Sequence, residues 1–125
     1  MMATPPASEH GSCVLIVDDD EDERDSLRDV VEMLGLSALT AANAEDALAI
    51  LEHSLPCLVI LDVRMPGMTG TQMLEKMQQD PRLIQLPVVM STSAPEQVPR
   101  GVAVLPKPVD VAALCGWMKQ SCRCE

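Results

Sequence analysis

The chain has 125 residues, a formal net charge of −10, and one Trp with no Phe or Tyr. That length gives one domain with a real core, and the core must be built from Leu, Val, Ile, Met and Ala. The acidity, with no Lys/Arg patch, argues against direct binding of nucleic acid or an anionic membrane. No run approaches the ~18 apolar residues of a membrane span.

Residues 1–12 are Pro/Ser/Ala-rich, lack the apolar core of a signal peptide and read as a disordered lead-in. Residues 13–122 read as the domain and 123–125 as a tail. The five cysteines show no paired spacing. Cys13 and Cys57 fall on or beside strands and read as small buried thiols, and Cys122 and Cys124 lack further ligands to complete a metal site. A reducing, cytoplasmic location is the default expectation.

Cys13–Val17 is a short apolar strand ending in Asp18, Asp19 and Asp20. Leu27, Val30, Val31 and Leu34 then recur at the spacing of one buried helical stripe, stopped by Gly35. Leu36 to Ala41 is a weaker strand. Asn43 suits an N-cap, and Ala44, Ala47, Leu48 and Leu51 supply the apolar face of the next helix. After Leu55-Pro56 comes the strand Cys57 to Asp62, too short for a helix and bounded by turn residues. Thr71 to Gln79 is a helix with Met73, Leu74 and Met77 inward; Met65 and Met68 in the preceding loop are read as packing.

Pro87 to Ser91 is a fourth strand, running into Thr92-Ser93, and Val102 to Leu105 a fifth, followed by Pro106-Lys107-Pro108. The last helix, Asp110 to Ser121, is expected to bury Val111, Leu114, Cys115 and Met118, with Trp117 packed or half-buried. Only about nine residues, with Pro95 and Pro99, join strands four and five, where a parallel crossover needs a dozen or more. That crossover helix is expected to be stunted or absent. Alternating strands and helices give an α/β parallel sheet with helices on both faces, and right-handed crossovers put the ends of strands one, three, four and five on one rim.

That rim gathers Asp18, Asp19, Asp62, Thr92 and Lys107. Carboxylates so close raise one another's pKa unless a cation joins them, and few hard oxygen ligands with room for water suit Mg²⁺. A cation and a lysine around one carboxylate form an electrostatic clamp for a transferring phosphoryl group. Asp62 can be the nucleophile, yielding an aspartyl phosphate. Ser91 and Ser93 are alternatives to Thr92 in register. His10 and His53 read as bystanders, and Asp20, Glu21, Asp22, Glu23 and Asp25 as the solvated acidic start of a helix whose dipole favours them.

Val-Asp-Asp-Asp at 17–20, Leu-Asp-Val-Arg-Met-Pro-Gly-Met-Thr-Gly at 61–70, Thr92, and Lys107-Pro108 together resemble the receiver domain of bacterial response regulators. The resemblance runs from Cys13 almost to the end of the chain. It implies a flavodoxin-like, doubly wound sheet of five parallel strands in order 2-1-3-4-5. It further implies Asp62 as phosphoacceptor and metal ligand, Asp19 as second ligand, Asp18 holding Mg²⁺ through water, and the Arg64 backbone carbonyl as another oxygen. Thr92 becomes the switch hydroxyl and Lys107 the phosphate partner, aimed by a cis Lys107–Pro108 bond. The Arg64 and Ala94 side chains would tune the phosphate lifetime. A histidine kinase or histidine phosphotransfer protein would be the donor, the domain catalysing only its own phosphorylation and dephosphorylation, with an unknown output partner.

Two departures stand out. The place three residues before the lysine, usually Tyr or Phe in receivers, holds Val104, and the crossover helix is short. A phosphate-independent scaffold is therefore the first alternative reading. An aspartyl-phosphate phosphatase of the haloacid dehalogenase type is the second, weakened by Arg64 standing where that class has a second Asp. The chain ends soon after the last helix, so no output domain is expected within it.

Overall fold

The computed structural model describes residues 13–122. Five parallel strands, β1 (Cys13–Val17), β2 (Ser37–Ala41), β3 (Leu58–Asp62), β4 (Val88–Thr92) and β5 (Ala103–Pro106), lie in the order β2-β1-β3-β4-β5. Four α-helices alternate with them: α1 (Glu21–Met33), α2 (Ala44–Leu51), α3 (Gly70–Gln78) and α4 (Val111–Ser121). The β4–β5 connection carries only a 3₁₀ turn, Pro95–Gln97, as its two prolines require.

Both faces of the sheet are covered, which is why β1 and β3 read as unbroken apolar runs rather than alternating ones. Side chains still alternate in space. Leu15, Val17, Val59 and Leu61 pack with Ala47, Leu51, Met73 and Met77 of α2 and α3. Val14, Ile16, Leu58 and Ile60 pack with Leu27, Val31, Leu114 and Met118 of α1 and α4. Each helix is started by a side-chain cap: Asp20 accepts from the Glu23 amide, Asn43 from Asp46 and Asp110 from Ala112, while Thr69 and Gln72 form a reciprocal capping box. Gly35 adopts φ 82° beyond the end of α1, a conformation open to glycine at little cost.

Two expectations about packing need correction. Leu34, the C-cap of α1, is 37% exposed, and Val111, in the first turn of α4, is 50% exposed at the mouth of a cleft facing α1. Trp117 packs half-buried beside the α1/α4 core, and His53 is exposed. His10, Cys124 and the expected lead-in and tail fall outside the described residues.

The reading of Cys57 as a free thiol is also corrected. Cys57, just before β3, is bonded to Cys122 at the C-cap of α4, 65 positions later, with the Cα atoms 5.1 Å apart. Both residues are buried. The bond ties the last helix to the end of the sheet opposite the acidic rim, and disulfides typically stabilise a fold by about 2–4 kcal/mol. Urea unfolding with and without dithiothreitol should therefore differ by about that amount in the wild type and not at all in Cys122→Ser. Identical wild-type curves in the two buffers would show that the bond does not form in solution.

Candidate functional site

The carboxyl ends of β1 and β3 are adjacent, since Val17 pairs with Leu61. The residues that follow each strand therefore meet at one rim. Among the described residues, Asp18, Asp19 and Asp62 each bring a carboxylate oxygen within 4.8 Å of the others. Asp18 and Asp62 are buried while Asp19 is exposed, so the cluster opens to solvent on one side. Asp18 is held rigidly: its Oδ1 accepts from the Asp20 amide at 2.9 Å, and its carbonyl accepts from Arg24 Nη1 at 2.8 Å.

Lys107 directly follows β5 and is joined to Pro108 by a cis bond, and the Lys107 amide donates to the Thr92 carbonyl at 2.9 Å. This places Nζ 3.3 Å from Asp62 Oδ1, 3.4 Å from Asp18 Oδ2 and 2.6 Å from Glu23 Oε1. Thr92, at the end of β4, is buried, and its Oγ1 accepts from the Ala94 amide at 2.9 Å. Ser93 is exposed, whereas the Ser91 hydroxyl is buried with no hydrogen-bond partner. Of the three register candidates, Thr92 alone is both buried and hydrogen-bonded through its hydroxyl. Arg64 is exposed, and its Nε donates to Gln97 Oε1 at 3.3 Å, bridging the β3 loop to the 3₁₀ turn.

Electrostatics follow from this crowding. Burial, then a hydrogen bond with Glu23 and the nearby Asp62 charge, push the Asp18 carboxyl up to about 7, against the pull of the Asp20 amide and Lys107. Burial also raises Asp62, opposed by the Lys107 ammonium. Burial works against the charge on Lys107, but the carboxylates of Glu23, Asp18 and Asp62 outweigh it and hold the ammonium well above the ordinary lysine range. Glu23 is lowered, first by its hydrogen bond with Asp18 and then by Lys107. The site carries more negative charge than one lysine offsets. Oxygen donors alone, close together and partly open to water, fit a small hard divalent cation.

The sequence places Glu23 in a solvated acidic run, whereas the structure brings it to Lys107. Its side chain leaves the first turn of α1 and, tilting toward the helix N-terminus as side chains do, meets Lys107 across 84 positions. The available signal was its place in the turn directly after the strand-end carboxylates.

A five-stranded parallel sheet in this order, with acidic groups and a lysine on its carboxyl rim, defines a flavodoxin-like receiver fold. The family model described as "Response regulator receiver domain" matches residues 14–115, and the chain belongs to that family. It is 36% identical to a 14.6 kDa protein of Leptolyngbya boryana over 116 residues, covering 87% of this chain and 88% of that one. It is 42% identical to the response regulator Rre1 of Synechocystis over 81 residues, 64% of this chain but only 35% of Rre1. Among solved structures, the chemotaxis response regulator CheY4 of Vibrio cholerae superposes with a TM-score of 0.78 at 26% identity, covering 88% of this chain and 98% of that one. The fold and the two-component signalling class are thereby established, and no helix among the described residues is long and apolar enough to cross a membrane.

Proposed function

We propose that this chain is a phosphoacceptor switch in which Asp62 receives a phosphoryl group from a phosphohistidine. The observation that carries the reading is the convergence of Asp18, Asp19 and Asp62 oxygens within 4.8 Å beside a lysine 3.3 Å from Asp62. An Asp62 oxygen attacks phosphorus in line, the P–N bond to the donor imidazole breaks, and the imidazole leaves with a proton. Lys107 stabilises charge on the phosphoryl oxygens. The Thr92 hydroxyl, at the end of the neighbouring strand, donates to one of those oxygens once the transfer is complete.

Asp18, Asp19, Asp62 and the Arg64 backbone carbonyl would hold Mg²⁺, with Asp18 acting through water. Bound there, the cation supplies charge neutralisation for the phosphoryl group. The donor is a histidine kinase or a histidine phosphotransfer protein, and the chain turns over no substrate beyond its own phosphate. The side chains of Arg64 and Ala94, in the loops after β3 and β4, set how readily water reaches the aspartyl phosphate.

Output is less conventional. Val104 is half-buried on β5 opposite Met90, and the chain has no Tyr or Phe to swing inward there. Together with the missing crossover helix, this favours one further reading, a scaffold whose contacts do not depend on phosphate. Intact mass after incubation with acetyl phosphate and Mg²⁺ separates the two. One added phosphoryl group on the wild type and none on Asp62→Asn is expected. Absence of the adduct, with beryllofluoride also failing to bind, would leave the scaffold.

A further inference from the structure

Lys107 has three carboxylate partners, and they are unequal. Its Nζ lies 2.6 Å from Glu23 Oε1, a short charge-assisted hydrogen bond, but 3.3 Å from Asp62 and 3.4 Å from Asp18. Glu23 sits on a fixed base, since its amide donates to the Asp20 capping carboxylate in the first turn of α1. The pair also borders an open cleft of about 300 Å³ between α1 and α4, lined in part by Ser91, Leu27 and Leu114. Both side chains of the pair therefore border open space on that side.

We propose that Glu23 is a positioning residue, a latch that competes with Asp62 for the Lys107 ammonium in the resting chain and gives it up when a phosphoryl group arrives. The inference rests on the reading of Asp62 as phosphoacceptor and adds a competition to it. A phosphoryl group on Asp62 offers three acceptor oxygens and a larger negative charge than the carboxylate it replaces. Lys107 then has a better partner than Glu23, and the α1–β5 tether opens as the phosphate is engaged. Glu23 thus weakens phosphoryl binding in exchange for linking α1 to the state of the site.

The measurement is beryllofluoride affinity, in Mg²⁺ buffer, for the wild type, Glu23→Gln and Glu23→Leu. Glu23 is 42% exposed at its side chain, so solvent screens the pair, and the expected gain is about two- to fivefold tighter binding in both variants. In the wild type, beryllofluoride should also move the carboxyl carbon resonance of Glu23, which a merely structural ion pair would not show. Equal or weaker binding in both variants, with an unmoved Glu23 resonance, overturns the latch while leaving the acceptor reading intact. Failure of the wild type itself to bind beryllofluoride overturns both. Thermal melts of the unliganded proteins confirm that each variant is folded.

Discussion

Gly70→Ala is expected to lower stability by roughly 2–3 kcal/mol and to disable the acceptor site at the same time. Gly70 opens α3, and its amide donates to the Val63 carbonyl at 2.9 Å, closing the loop that follows Asp62. A Cβ built there would fall on the Asp62 carbonyl oxygen, with the Asp62 carbonyl carbon at 3.0 Å and Val63 Cα at 3.1 Å. All three are backbone atoms, so no side chain can rotate away. Relief requires the end of β3 to part from the start of α3, and the residue displaced first is Asp62. A melting temperature lower by about 10 °C and loss of phosphoryl uptake from acetyl phosphate are the expected results. Gly116→Ala is the control, because nothing lies within 4 Å of its Cβ position in α4. An alanine in a helix interior should stabilise by about 0.5–1 kcal/mol. Equal behaviour of the two variants would show that the β3–α3 junction is looser than its geometry.

That junction also illustrates what could be read from the sequence. The strand runs were legible because a parallel sheet buried on both faces demands continuous apolar segments, and Pro95 and Pro99 were enough to remove the crossover helix. The meeting of Asp18, Asp19, Asp62 and Lys107 was legible because they stand at or just past strand ends, where topology alone collects them. Contacts set by tertiary geometry were not. Glu23 meets Lys107 across 84 positions and Cys57 meets Cys122 across 65, and no local period encodes either meeting. Val111 and Leu34 failed for a related reason. Helical spacing gives the face a residue is on, but not whether the sheet extends far enough to cover the first or last turn.

Asp18→Asn is expected to stabilise the metal-free protein, and to do so only toward higher pH. The carboxyl is raised from 3.8 to about 7 in the folded chain, chiefly by burial. A raised folded-state value means that Asp18 contributes stability below its unfolded pKa and that this contribution is lost as pH rises through about 7. The charged form is the one the fold tolerates poorly. Asparagine keeps the shape and the oxygen that accepts from the Asp20 amide, yet never ionises. The difference in stability between variant and wild type should therefore grow by about 2 kcal/mol between pH 5 and pH 8, or roughly 5–10 °C in melting temperature. Lys107 keeps Glu23 and Asp62 as partners in the variant, so the gain is not cancelled by an orphaned ammonium. The same substitution should weaken Mg²⁺ binding, and Mg²⁺ affinity of the wild type should fall as pH drops below 7, because the cation favours the ionised Asp18 carboxylate. Melts of both proteins across that pH range, each with and without Mg²⁺, test the linkage. A variant that is less stable than wild type at pH 8 without metal would mean that ionised Asp18 is held by its hydrogen bonds at no net cost. The site would then not be a store of destabilisation relieved by the cation.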